Sequence, residues 1–195
     1  AMAAGSWTLK LVPKTDRGAL LSSVFCGYDA SGLPGSVFYP MPPTWSKLSV
    51  GVYNEQTGAM NGHRMLHELR GGGAAYMLAF RNDTVGTRSI SVKLERIAGF
   101  PASMKTSAYD PSSGETTELS GSNELSVAID GQTTQYRWLF VGDATYVASA
   151  VKSLPVMKLS FEKVFPNPVR SLVRLRYSVP FALGKVKFTI LDISG

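Results

Sequence analysis

The sequence predicts an all-β fold, an antiparallel β-sandwich of the jelly-roll or Ig-like kind. Three observations predict it. Apolar residues recur at every second position over many short segments. Clusters of Gly, Pro, Asp, Asn and Ser separate those segments at short, fairly even intervals. The composition is sparing in charge: 17% of residues are Asp, Glu, Lys or Arg, against a usual ~25% for soluble domains.

The elements follow in order. Trp7, Leu9 and Leu11 alternate with Thr8, Lys10 and Val12, the pattern of a half-buried strand. Ser22 to Tyr28 forms a second apolar run. Leu48, Val50 and Val52 alternate with Ser49, Gly51 and Tyr53. Between Met60 and Arg70, Met65, Leu66 and Leu69 have helical spacing, but the stretch is barely two turns long and Gly71-Gly72-Gly73 follows; a strand or irregular edge is favoured. Ala74 to Phe80 is continuously apolar, as a core strand would be. Ile90, Val92 and Leu94 alternate, as do Leu125, Val127 and Ile129. Asp130-Gly131 has the chemistry of a hairpin turn leading to Tyr136, Trp138 and Phe140. Ala144 to Val151 is read as the closing strand, and Trp7 and Trp138 as core residues.

Ser153-Leu154-Pro155 marks a change of character, dividing the chain into residues 1–153, a β-sandwich domain, and residues 154–195. Charge divides there too. The first part carries 13 Lys and Arg against 12 Asp and Glu, and the second 7 against 2. The net charge of +6 therefore resides mainly in the tail, and a chain-wide nucleic-acid footprint is not indicated. The one cysteine, Cys26, lies in the apolar run Val24-Phe25-Cys26-Gly27-Tyr28 and is expected to be a core thiol. No apolar run approaches the ~20 residues of a membrane-crossing helix, so no transmembrane segment is predicted. Ala1-Met2 resembles the remnant of a cleaved purification tag, so the sequence is read as part of a longer protein.

The tail reads Phe161-Glu162-Lys163-Val164-Phe165-Pro166-Asn167-Pro168-Val169, then an alternating run from Leu172 to Pro180. A turn at Ala182-Leu183-Gly184 and a second strand-like run, Lys185 to Gly195, follow. These residues resemble the type A sorting domain of the type IX secretion system, related in fold to the Ig-like domain of flagellar hook-capping proteins. The resemblance rests on the aromatic-Pro-Asn-Pro element Phe165, Pro166, Asn167 and Pro168, the strand end Tyr177 to Pro180, and the Asp-x-x-Gly turn Asp192 to Gly195. It implies that residues 154–195 are a partial Ig-like C-terminal sorting domain acting as an export signal, with the secretion apparatus as partner and a secreted or outer-cell-surface location. The family continues beyond the matched part, so the truncated tail is expected to leave a sheet edge open and to pack on residues 1–153 or self-associate with another copy. Arg174, Arg176, Lys185 and Lys187 would share the outward face of the tail, a candidate basic surface for acidic lipopolysaccharide or the apparatus. Less specifically, residues 7–150 are similar to a β-sandwich that often precedes such tails in large surface proteins. The shared look is the opening Trp7, the Pro-rich loop from Tyr39 to Pro43, and the late strand from Tyr136 to Gly142.

No catalytic constellation emerges. His63 and His67 stand four apart, but Arg64 occupies the position where zinc proteases place Glu. On a strand the two imidazoles would lie ~13 Å apart, too far for one metal. Gly71-Gly72-Gly73 lacks the Lys of a phosphate loop. Asp16, Asp29, Asp83, Asp110 and Asp130 sit in turns, where turn formation accounts for them. Neither metal nor cofactor is predicted, nor enzymatic activity.

Aromatics are the remaining lead. Trp45 follows the stiff stretch Tyr39-Pro40-Met41-Pro42-Pro43-Thr44, where a ring could stack on a sugar at low entropic cost. Tyr28 and Tyr109 each precede an Asp at a turn. Trp45, Tyr39, Tyr28 and Tyr109 are therefore the candidate polysaccharide-binding residues. The expected function is a non-catalytic C-terminal region of a secreted or surface bacterial protein, with an accessory sandwich that binds polysaccharide and an export signal; the alternative is a structural spacer or adhesion module carrying that signal.

Overall fold

A computed structural model describes residues 5–31, 36–41, 46–54, 57–67, 69, 72–119, 124–154, 160–161 and 177–178. The chain forms two compact units, Ala1–Ser153 and Leu154–Gly195.

In the first unit, strands β1 (Trp7–Thr15), β2 (Val24–Tyr28), β3 (Ser36–Pro40), β4 (Leu48–Asn54), β5 (Ala59–Leu66) and β6 (Gly73–Asn82) come in succession. They are followed by β7 (Arg88–Ala98), β8 (Lys105–Tyr109), β9 (Thr116–Glu118), β10 (Leu125–Ile129) and β11 (Thr133–Gly142). All join one hydrogen-bonded sheet in the order β10-β7-β1-β2-β5-β4-β6-β11-β8-β9, with β3 also paired to β5. The sheet is nearly closed into a barrel-like shape, so the all-β class holds.

Alternation decides what is buried. In β1, Trp7, Leu9 and Leu11 point inward while Thr8, Lys10 and Val12 are half-buried. Val24 and Cys26 of β2, Leu48, Val50 and Val52 of β4, and Tyr76, Leu78 and Phe80 of β6 join them. Ile90 and Val92 of β7, Leu125, Val127 and Ile129 of β10, and Leu139 and Val141 of β11 complete this inner face. Burying each such side chain contributes about 1.5–3 kcal/mol. Trp7 meets Tyr76 edge-on, with ring centroids 6.5 Å apart, and the Tyr76 hydroxyl donates to the Gly27 carbonyl at 2.8 Å. Asn82 ties the sheet's far strand to its middle: its buried side-chain amide donates to the carbonyls of Gly86 and Ile129, both at 3.0 Å.

Four sequence expectations are corrected. Ala144 to Val151 is not a strand but lies in helix α1 (Ala144–Ser153). Asp143 caps it, its Oδ1 accepting from the Tyr146 N–H at 2.7 Å, and Ala144, Ala148 and Ala150 favour the helix. Asp130-Gly131 does not close a hairpin: β10 pairs with β7, whereas β11 pairs with β6 and β8. The turn instead carries the chain across the fold. Gln132 takes φ 57° there, and its N–H donates to the Thr84 carbonyl at 3.1 Å. Nor are all ladders antiparallel. β2 and β5 run parallel, with Phe25 opposite His63, a pairing allowed because β3 and β4 provide the long crossover that parallel neighbours need. Finally, Trp7 is a core residue, but Trp138 is half-buried on the opposite face of its strand, stacked on Phe140 at 6.2 Å with the rings 7° from parallel.

The stretch read as a strand or irregular edge from Met60 falls largely in β5. Cys26 is buried, and burial pushes its thiol well above the ordinary range. In the second unit, β12 (Ser160–Phe161) and β13 (Tyr177–Ser178) pair antiparallel, Phe161 opposite Tyr177. No helix among the described residues is long and apolar enough to cross a membrane.

Candidate functional site

The outer face of the sheet carries the site. On β4, Ser49, Gly51 and Tyr53 alternate with the core residues Val50 and Val52, so they face outward. On β6, Ala79 and Arg81 do the same, and on β11 Thr134, Tyr136 and Trp138. Register aligns them across the three strands: Ser49, Arg81 and Thr134 share one row, and Gly51, Ala79 and Tyr136 the next.

This arrangement makes a groove of about 480 Å³, within the range of ~300–1,000 Å³ common for ligand sites. Tyr53 and Tyr136 stand in it with ring centroids 5.2 Å apart and planes at 76°. The rings reach each other from two strands apart because only Gly51 and Ala79 lie in the row beneath Tyr136. Little room is left above Gly51. A Cβ would come to 3.0 Å from the Met41 sulfur and 3.0 Å from the Asn61 carbonyl, so Met41 and Met60 lie directly over it. Met41 and Met60 line the groove as well, supplying soft apolar surface.

Polar groups complete it. Ser46, Ser49 and Thr134 line the wall, together with the Arg81–Asp83 ion pair, whose Nε–Oδ1 distance is 2.8 Å. Both members of that pair are about half exposed. Burial, with a smaller contribution from Tyr53, pushes the Tyr136 hydroxyl above its usual range, so it stays a neutral group able to donate and accept at physiological pH. A smaller cavity of about 90 Å³ lies over the Asp110–Arg137 pair, bonded at 2.8 Å, and is below the size that holds a small-molecule ligand.

Along β5 from the groove lies a second aromatic cluster. Phe25, His63 and Tyr39 occupy one row on β2, β5 and β3. Ring centroids are 5.6 Å apart for Phe25–His63 and 4.9 Å for Tyr39–His63. Tyr39 is the exposed member, at 47%. Burial lowers the His63 pKa, so the ring is held neutral between its neighbours.

The four predicted aromatics do not converge. Tyr39 is in this row. Tyr28 ends β2 and packs against the core. Tyr109 ends β8 on the outer face, opposite Trp138. Trp45 lies outside the described residues; Met41 and Ser46, the described residues before and after it in sequence, line the groove. The tail candidates Phe165, Pro166, Asn167, Pro168, Arg174, Arg176, Lys185 and Lys187 also lie outside the described residues. His63 and His67 are not brought together: His67 turns instead to Asp29, its Nδ1 3.3 Å from the Asp29 carbonyl oxygen. Among the described residues no group of three His, Cys, Asp or Glu could hold a metal.

Tyr53, Tyr136 and Arg81 were not singled out from the sequence as site residues. Tyr53 alternates with Val50 and Val52, which turns its ring away from the core, but Tyr136, Trp138 and Phe140 read as the core-facing side of their strand, and the structure turns that side outward. The proximity of Tyr53 and Tyr136 depends on strand order, which alternation does not encode. Comparison of the chain with protein-family models, curated proteins and solved structures found no match.

Proposed function

We propose that the first unit is a non-catalytic carbohydrate-binding module and that the groove at Tyr53 and Tyr136 is its binding site. One observation carries this reading: two partly exposed tyrosine rings share an open groove with hydroxyls and one exposed Arg–Asp pair. A sugar ring has an apolar face of C–H groups and a rim of hydroxyls. Aromatic faces take the first, and short polar side chains and planar charged groups take the second. Arg81 donates and Asp83 accepts, so the pair matches hydroxyls, which do both. The motifs of the C-terminal tail support its reading as an export signal engaging a secretion apparatus, and hence a secreted or surface setting in which polysaccharide would be met.

Affinity electrophoresis tests the reading. The wild type should be retarded in gels containing at least one of a neutral β-glucan, a xylan and a uronate-rich pectin. Tyr136→Ala and Arg81→Ala should migrate freely while keeping wild-type circular dichroism. Free migration of the wild type in every gel would favour the spacer reading instead.

A further inference from the structure

We propose that the ligand is an extended polysaccharide chain, gripped at two platforms on one sheet face: the groove and the row Phe25–His63–Tyr39. This rests on the carbohydrate reading of the groove and goes beyond it in assigning a second subsite and the polymeric nature of the ligand.

Three observations carry it. The first is that both platforms lie on the same face. Phe25 alternates with the core residues Val24 and Cys26, and Tyr39 with Phe38, which packs against the core. His63 neighbours Arg64, whose guanidinium lies over the inward-facing Phe38 ring at 4.7 Å. The second is that a bulge keeps β5 in phase with the groove. Tyr39 pairs with His63 but Pro40 pairs with Asn61, so Gly62 is skipped. Met60, paired with Tyr53 in the groove, and His63, in the aromatic row, thereby present to one side although three residues apart. Without the skipped residue, the period of two would put them on opposite faces. At ~3.3 Å per residue they are separated by no more than about 10 Å, the reach of a chain rather than of a single ring. The third is continuity. Met41 follows β3 directly, two residues after Tyr39, and lies over Gly51 beside Met60. Met41 and Met60 thus lead from the groove toward the aromatic row, whose Tyr39 is exposed.

Charge favours a neutral chain. Arg81 is paired with Asp83 in the groove, and Lys10, next to Phe25 in register, is paired with Glu95 at 3.1 Å. Among the described residues, neither platform presents an excess of one sign.

Isothermal titration calorimetry with neutral β-glucan and xylan oligosaccharides of increasing length, and with the uronate oligomers of pectin, tests the inference. For the wild type, affinity should rise with the length of the neutral oligomers and then level off. Tyr39→Ala should weaken the longest neutral oligomers about tenfold and leave the shortest unchanged, while Tyr39→Phe restores the gain. Tyr136→Ala should weaken oligomers of every length. Affinity independent of length, equal long-chain binding by Tyr39→Ala, or preference for the uronate series would overturn the two-platform neutral chain and leave the groove standing. Failure of the wild type to bind any oligomer would overturn the groove reading, and this inference with it.

Discussion

Tyr76 and Tyr136 sit on paired strands within one sheet, yet the fold uses them in opposite ways. Tyr76 faces inward, fully buried, with its ring edge-on to Trp7 and its hydroxyl bonded to the Gly27 carbonyl. Tyr136 faces outward, partly exposed, with its ring against Tyr53 and its hydroxyl left for the groove. The chemistry is identical and the alternation of the strand separates the two roles. A residue type at an outward position on a β-strand carries functional information that the same residue at an inward position does not. Stability should therefore depend on the inner face and binding on the outer one.

The sharpest way to break that division is Phe80→Ala. Phe80 is fully buried between Ala79 and Arg81 on β6, and removing its ring should cost about 3–5 kcal/mol by urea denaturation. A loss below about 1 kcal/mol would mean that the inner face is not the packed core. Next come the two tyrosines themselves. Tyr76→Phe leaves the buried Gly27 carbonyl without its donor and should cost about 1–3 kcal/mol. Tyr136→Phe should change stability by no more than about 0.5 kcal/mol while weakening polysaccharide retention. Equal effects of the two substitutions on stability would erase the comparison.

The smallest expected effect is electrostatic and concerns the rim of the sheet. Arg88 forms a two-pronged hydrogen bond with Asp16 that, above all other influences, lowers the Asp16 pKa from 3.8 to about 2. Because the folded value is depressed, this contribution is complete above the unfolded pKa and is lost as pH falls from about 3.8 to about 2. Arg88→Ala should bring the Asp16 carboxyl titration, followed by NMR, back toward 3.8, and should remove that part of the acid dependence. Groove binding should be unaffected, since neither residue lines the groove.

Much of the inner face was legible in the sequence. The alternation of Trp7, Leu9 and Leu11, and of Leu125, Val127 and Ile129, marks residues that the fold buries, because period two is a local property of the chain. Helix α1 was missed where apolar content outweighed its cap: Asp143 before an Ala-rich stretch was the sign of a helix start. β3 was hidden because Tyr39-Pro40 reads as loop, yet Pro is tolerated at a bulge, and the register shifts between Tyr39 and Pro40. The outer face was the least legible. Tyr53 and Tyr136 are 83 positions apart in sequence and meet only because β4 and β11 flank β6. The same holds for Phe25, His63 and Tyr39, whose row depends on a parallel pairing and a skipped Gly62. Register across non-consecutive strands is set by global packing, and no local pattern carries it.

The central claim is that carbohydrate contacts the outer face. Two-dimensional 1H–15N NMR of the full chain, titrated with the polysaccharide that retards it most strongly, tests this directly. Shifts should concentrate at Ser49, Tyr53, Arg81, Thr134 and Tyr136, extend to Tyr39 and His63 with longer chains, and leave Val92 and Val127 on β7 and β10 unmoved. Shifts centred on β7 and β10, with the groove unperturbed, would contradict it.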